Sequence, residues 1–192
     1  MQWTIPGTVL QSQIEDAEHI AAQFDAMFLA GGMVLSQVAG ITGLEPYIIQ
    51  NWVKRGFLTA PQKKRYSQRQ LCRIININML KAALPIEEVC GLLQYINGHL
   101  DDESDDLIDD TTLYFLFVRL AAMHRQMHNA DGREEALKKA LSDYREPVPG
   151  AKERVERVLR IMLTAWAAAM LRQTAEKMVL SLKEEGKKET MP

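Results

Sequence analysis

The sequence predicts an all-α protein: an N-terminal helix, a central module of short helices, and a C-terminal helical extension. Apolar residues recur every three or four positions through most of the 192 residues, as they do on one face of an α-helix. Glycine and proline interrupt this pattern in the central part, whereas residues 152–185 contain neither and predict one long helix. These changes divide the chain into three regions, residues 1–32, 33–98 and 99–192.

An amphipathic helix is predicted near the N-terminus. From Leu10 to Phe28 the apolar residues are spaced by alternating steps of four and three, which places them on one stripe. Residues 1–8 are expected to be irregular, and Gly31 and Gly32 are expected to end the helix. The stripe favours packing against the protein's own core, with a dimer contact as the alternative. It consists of Leu10, Ile14, Ala17, Ala21, Phe24 and Phe28.

Two short helices joined by a tight turn are predicted at the start of the central region. The first begins at Ser36 or one of the two preceding residues, and Gly43 supplies the left-handed backbone that the turn requires. Pro46 suits the first position of the second helix, which Gly56 ends. The second helix has an apolar side and an outer side. The apolar side carries Ile49, Trp52 and Val53, and the outer side carries Tyr47, Ile48, Asn51, Lys54 and Arg55.

A short basic loop follows the second helix. Residues 60–66 read APQKKRY, and three consecutive bases in a loop suit contact with phosphate groups, with an ordinary solvated charge run as the alternative. The formal net charge of the chain is only -2. However, residues 33–83 hold eight bases against one acid, and residues 101–110 hold seven acids and no base. The near-neutral total conceals a basic module beside an acidic segment.

Further helices are predicted after the basic loop. Ser67 is expected to cap a helix over residues 68–82, and Pro85 is expected to open another that Gly98 ends. More helices are predicted over residues 112–128 and 133–144, followed by the long helix over residues 152–185. The long helix either crosses the protein's own core or pairs with a second subunit, because its middle is apolar nearly all round.

The acidic segment at residues 101–110 is predicted to be a loop. Its last residue, Asp110, or the following Thr111 is expected to cap the next helix. A calcium-binding loop is disfavoured, because Asp106 and Thr112 stand at the positions where such a loop needs glycine and glutamate. In this interpretation the acidic residues stabilise the positive, N-terminal end of the next helix.

Several classes of protein are excluded by the sequence. Gly-rich phosphate loops, nucleophile elbows and HExxH motifs are absent, so no catalytic residue, no cofactor and no enzyme are predicted. His124 and His128 lie four residues apart, but further zinc ligands are missing from the local pattern, which favours surface histidines and no metal site. Cys72 and Cys90 fall at apolar helical positions and are expected to be reduced thiols of a cytoplasmic protein.

No membrane segment is predicted either. The longest uncharged apolar run, residues 161–171, is far shorter than the ~20 residues that a bilayer requires. The N-terminus also lacks the charged and apolar regions of a signal peptide. The pattern identifies no small-molecule effector.

The central region resembles the MerR-type winged helix-turn-helix. Residues 35–44 read LSQVAGITGL and residues 48–58 read IIQNWVKRGFL, in the places of that family's two helices. The run KRYS at residues 64–67 resembles its wing motif, with lysine in place of arginine. The resemblance covers residues 33–97. The stretch IIQNWVK at residues 48–54, followed by Pro61, Lys63, Lys64, Tyr66 and Ser67, is also similar to a bacterial family called domain of unknown function 1836.

The MerR resemblance implies a sequence-specific DNA-binding regulator that acts on double-stranded DNA as a homodimer, with half-sites ~34 Å apart. Gln50 and Asn51 depart from the family, which usually carries arginine and tyrosine there. The alternative is a non-catalytic protein-interaction module that retains the helix-turn-helix fold without DNA binding. The implied base contacts are Tyr47, Ile48, Gln50 and Asn51, and the implied phosphate contacts are Lys54, Arg55, Lys63, Lys64 and Arg65.

Overall fold

The computed structural model describes residues 3–13, 16–124 and 130–189. This part of the chain is mostly helical, which confirms the all-α class. No helix in these ranges combines the length and the apolar character that crossing a membrane requires. The strands are β1 (Trp3–Thr4) and β2 (Gln11–Ser12), and the helices are α1 (Ala17–Phe28), α2 (Leu35–Thr42), α3 (Pro46–Lys54), α4 (Gln68–Leu80), α5 (Ile86–Asn97), α6 (Asp110–His124), α7 (Ala130–Ala140) and α8 (Ala151–Glu189).

The N-terminal region differs from the helix that the apolar spacing predicts from Leu10 onward. β1 pairs antiparallel with β2, and α1 begins only at Ala17. The prediction was wrong because the backbone around Leu10 is bound elsewhere. The Leu10 carbonyl accepts a hydrogen bond from the Ile5 N–H, and the Val9 N–H donates to a carbonyl near the end of α2. Ile14, which the predicted stripe included, lies outside the described residues.

α4 is the centre of the hydrophobic core. Between Leu71 and Leu80 all but one of its residues are buried, and α1, α2, α5, α6 and α8 all pack against it. A continuous cluster of buried apolar side chains runs from Trp3 through α4 to Trp166 in α8. α2 is therefore placed directly on this helical body, and α3 packs on α2.

The C-terminal helices have shifted bounds relative to the predictions. The predicted long helix is confirmed as α8, which is slightly longer at both ends. α6 begins at Asp110 and is described as far as His124, and the predicted continuation to residue 128 falls outside the described residues. α7 begins and ends a few residues earlier than predicted. The first half of α8 is packed in the core, whereas every residue from Met170 to Leu182 is exposed.

Candidate nucleic-acid interface

α2 and α3 are joined by a tight turn at Gly43. The φ of this glycine is 68°, in the left-handed region, and an added Cβ would lie 2.7 Å from the Val9 side chain. Both facts require glycine at this position. Pro46 occupies the first turn of α3, as predicted, and Ile49 and Trp52 are buried against the core. The turn at Gly43 and the burial of Ile49 and Trp52 together position α3.

The outer face of α3 is polar and accessible. Tyr47, Asn51 and Lys54 fall on one stripe at ~100° per residue, with Gln50 beside them, and all four side chains are exposed. Ile48, which the sequence also placed on the outer side, is half-buried and packs against the hydrophobic core. No hydrogen bond or ion pair joins the four exposed side chains to the described part of the chain, so their polar groups are available to a ligand.

The basic loop forms a two-residue hairpin turn. Gln62 and Arg65 face each other in an isolated β-bridge, and the Arg65 N–H donates to the Gln62 carbonyl at 2.8 Å. The residues between them, Lys63 and Lys64, have φ values of 49° and 63°. Two successive positive φ values are the pattern of a type I′ turn, which favours Asn-Gly. Each lysine held in this region costs ~1 kcal/mol, and both side chains are exposed at the tip.

The hairpin is fastened to the segment before α2. Met33 and Tyr66 exchange two backbone hydrogen bonds of 2.9 and 2.7 Å. Gly32 approaches this bridge so closely that a Cβ would lie 2.6 Å from the Tyr66 carbonyl oxygen. The Arg65 Nη1 donates to the Gly32 carbonyl at 2.6 Å. The sequence presented Gly32 only as a helix terminator, because its contact with the hairpin joins residues far apart in the chain.

Gln70 holds the other strand of the hairpin. Its Nε2 donates to the Thr59 hydroxyl at 2.8 Å and to the carbonyls of Thr59 and Ala60 at 3.1 and 3.2 Å. Its Oε1 accepts from the Ser67 N–H, and the Ser67 hydroxyl accepts from the Gln70 N–H. This reciprocal pair is a capping box, and the predicted Ser67 cap is confirmed. The spacing of serine and glutamine was the signal that could have identified Gln70.

A groove of about 670 Å³ separates the hairpin from α3. Gln50 and Lys54 lie on its α3 side, and Lys64 lies on its hairpin side. Its remaining lining is mostly apolar and comes from both elements and from the start of α2. These residues are Val34, Leu35, Ser36, Val53, Pro61 and Tyr66. The structure thus brings three of the nine predicted contacts together in this groove, whereas Lys63 and Arg65 line a second cleft on the other side of the hairpin.

Several of the predicted bases contact other side chains of the protein. The Arg55 Nη2 lies 2.5 Å from the Glu87 Oε1 in α5, and its guanidinium lies 4.4 Å from the centroid of the Phe57 ring. The Lys81 Nζ lies 5.5 Å from the Trp52 ring centroid, and burial lowers the pKa of this lysine. The basic character of residues 33–83 is therefore only partly available at the surface.

The acidic segment engages two more of the bases. Arg69 pairs with Glu103 at 2.9 Å and Asp106 at 2.6 Å, and Arg73 pairs with the buried Asp110 at 3.4 Å. Burial raises the pKa of Asp110, while the two arginines oppose that rise. Burial likewise raises the pKa of Asp106 to about 6 against the effect of Arg69. A cleft of about 800 Å³ lies between this cluster and the hairpin.

The ion pair of Arg73 also connects α6 to the end of α3. The Arg73 Nε donates to the Phe57 carbonyl at 3.0 Å while its Nη1 faces Asp110. The predicted capping of the helix by Asp110 or Thr111 was wrong. Asp109 performs it, with its Oδ1 accepting from the backbone N–H groups of the two residues that follow Asp110. Asp110 instead pairs with Arg73, which lies 37 residues earlier in the chain.

The remaining predicted groups do not form a second site. No cluster of three or more potential metal ligands occurs among the described residues. His128 lies outside them, so the predicted pair with His124 is not described. Cys72 and Cys90 are free, as predicted, and burial raises the pKa of the Cys72 thiol far above its ordinary value.

Residues 32–117 match the model of a protein family described as Domain of unknown function (DUF1836). The match covers less than half of the chain and confirms the resemblance indicated by the motifs in residues 48–67. It begins at Gly32 and extends past the acidic segment into α6, so it includes the hairpin and the ion pairs behind it. No curated protein and no solved structure matches the chain.

Proposed function

We propose that the chain is a sequence-specific DNA-binding transcriptional regulator, in which α2, α3 and the hairpin form a MerR-like winged helix-turn-helix. The observation that carries this proposal is the groove between α3 and the hairpin. Gln50 and Lys54 of α3 lie on one side of it and Lys64 of the hairpin lies on the other. A DNA backbone strand beside the major groove would occupy the space between them.

In this proposal α3 enters the major groove. Tyr47, Gln50 and Asn51 reach base edges, where hydrogen bonds carry sequence information. Lys54 and the hairpin residues Lys63, Lys64 and Arg65 contact phosphates. The available side chains suit this division, because polar groups with both donors and acceptors stand on α3 and simple cations surround them.

The hairpin tip supports the same function. An Asn-Gly pair would fit its turn without strain, yet the chain carries Lys63 and Lys64 there. Strained non-glycine residues are typical of functional positions, where the side chain is needed despite the backbone cost. The pinning contacts of Gly32 and Gln70 hold this tip in one place, which lowers the entropy lost on binding.

A homodimer is part of the proposal, since a single module of this size contacts few phosphates. The exposed second half of α8 offers a surface for a second copy. Leu171, Met178 and Leu182 are 72%, 64% and 67% exposed and follow one another at helical spacings of seven and four. Burial of these side chains against the partner's helix would stabilise the dimer. Dimerisation would place two copies of α3 ~34 Å apart on the duplex.

The experiment compares two matched double variants by fluorescence anisotropy with labelled duplexes. K63A/K64A removes the lysines of the hairpin tip, and K138A/K139A removes two adjacent exposed lysines from α7. Arg65 stays in place because its guanidinium also holds the Gly32 carbonyl. We expect the hairpin variant to bind at least tenfold more weakly at about 50 mM salt and the α7 variant to bind normally. Equal binding by both variants would refute the assignment of the hairpin.

The internal pairing of Arg55, Arg69 and Arg73 favours one alternative, a protein-interaction module that keeps the same fold. Each of these arginines is neutralised by a carboxylate of the protein itself, which leaves less positive charge for DNA. Circular dichroism would first show that the wild-type chain is folded. If this chain then binds neither random duplex nor heparin at about 50 mM salt, the alternative is favoured.

A further inference from the structure

We infer that α3 reads A·T rather than G·C base pairs, through the side-chain amides of Gln50 and Asn51. The inference rests on the proposed function, because it specifies which DNA the same site recognises. Asparagine and glutamine bind adenine by donating to N7 and accepting from the N6 amino group, whereas arginine is the usual partner of guanine N7 and O6. The question is therefore which of these groups the outer face of α3 presents.

The two amides are the groups presented. Gln50 and Asn51 are exposed, and no hydrogen bond of either side chain is found within the described ranges. Each amide therefore keeps a free donor and a free acceptor, the pair that adenine requires. They occupy adjacent positions in the middle of α3, so they can reach the same base pair or two neighbouring ones.

The arginine that could read guanine is engaged by two neighbouring side chains. Arg55 is the only arginine between Pro46 and Gly56. Its guanidinium is held by the carboxylate of Glu87 and lies over the ring of Phe57, on the side of α3 that faces α5. Turning it towards a base would break both contacts.

The remaining cation of α3 is placed for the backbone. Lys54 lines the groove together with Lys64 on its far side. Two ammonium groups on opposite walls of a mostly apolar groove suit a phosphate strand that passes between them, and they carry no base information there. Tyr47, at the exposed start of α3, offers a single hydroxyl, which does not distinguish guanine from adenine.

The test starts with selection of bound duplexes from a random library by the full chain. We expect A·T pairs to dominate the central positions of the recovered half-sites. Substituting 7-deaza-adenine at such a position removes the N7 acceptor and should weaken wild-type binding roughly tenfold. If Gln50 binds the substituted adenine, 7-deaza-adenine should have little effect on the affinity of Gln50→Ala. If Asn51 binds it, the affinity of Asn51→Ala should be the one that changes little.

Two further variants separate base reading from general affinity. Gln50→Arg should shift the preference of the adjacent position towards guanine. Lys63→Ala should weaken binding to all duplexes by a similar factor and leave the preference unchanged, because it removes a phosphate contact. Retained binding of each variant to random duplex shows that it is folded.

The outcomes distinguish the inference from the proposed function. If the wild-type chain binds DNA tightly but selects G·C pairs, or shows no preference at the positions that Gln50→Ala affects, the inference is overturned and the proposed function stands. If the wild-type chain binds no duplex at all, the proposed function falls and this inference falls with it.

Discussion

Replacing the two lysines of the hairpin tip by the pair that the turn favours should stabilise the protein and impair its binding to DNA. Lys63 and Lys64 have φ values of 49° and 63°, which glycine and asparagine adopt far more readily than lysine. Relief of roughly 0.5–1 kcal/mol at each position gives an expected increase of about 1–2 kcal/mol in the free energy of unfolding for K63N/K64G.

The same variant removes two phosphate contacts. Each contact contributes about 0.9 to the slope of log K against log salt concentration, so the slope should become shallower by about 1.8 per protomer. Over a fourfold change in salt, from about 50 to about 200 mM, wild type should lose roughly tenfold more affinity than the variant for one protomer, or roughly 100-fold more for a dimer.

Urea unfolding followed by tryptophan fluorescence measures the first quantity, since Trp3, Trp52 and Trp166 are all buried. Fluorescence anisotropy at several salt concentrations measures the second. K63R/K64R is the control, because it keeps both charges and the strain and should behave as wild type in both assays. A K63N/K64G variant that is less stable than wild type, or that keeps the wild-type salt slope, would contradict the reasoning.

Three further predictions concern the framework of the site. Arg73→Met leaves the buried Asp110 carboxylate without its nearest partner and should cost about 3–5 kcal/mol in urea unfolding, and adding Asp110→Asn to that variant should recover part of the loss. The pKa of Asp106 is raised to about 6, so the folded state binds more protons than the unfolded state between about pH 4 and 6. The stability of wild type relative to Asp106→Asn should therefore fall as pH rises through this window, and an increase would contradict the assignment. Gly32→Ala places a Cβ against the Tyr66 carbonyl and should destabilise the protein, whereas Gly91→Ala, with open space around it inside α5, should stabilise it by about 0.5–1 kcal/mol.

The elements of the candidate site that follow local rules were predictable from sequence. Gly43 and Pro46 mark the turn and the start of α3 because each acts through its own backbone geometry. Ser67 marks the start of α4 for the same reason, since a capping box is complete within four residues. The outer position of Tyr47, Asn51 and Lys54 followed from helical periodicity, whereas Ile48, which the same periodicity placed there, is half-buried.

The features that escaped prediction depend on partners distant in the chain. The spacing from Leu10 onward fits a helix, but this segment closes a hairpin with β1 and its Val9 N–H bonds to a carbonyl of α2. Asp110 has the local setting of a helix cap, yet Arg73 binds it from α4. Arg55 has the position of a phosphate contact, yet it forms an ion pair with Glu87 of α5. Local propensity was overridden in each case by a tertiary contact.

These distant contacts also limit how much charge the protein can bring to DNA. Of the eight bases in residues 33–83, Arg55, Arg69 and Arg73 are paired with carboxylates and Lys81 lies over Trp52, which leaves Lys54, Lys63, Lys64 and Arg65. Four contacts per protomer predict a salt slope of about −3.6, or about −7 for a dimer. A much steeper slope in the anisotropy assay would mean that the arginines of α4 exchange the acidic segment for phosphates when DNA binds. In that case Asp106→Asn, which weakens the hold on Arg69, would raise the affinity for DNA; a slope near −7 predicts that this variant leaves the affinity unchanged.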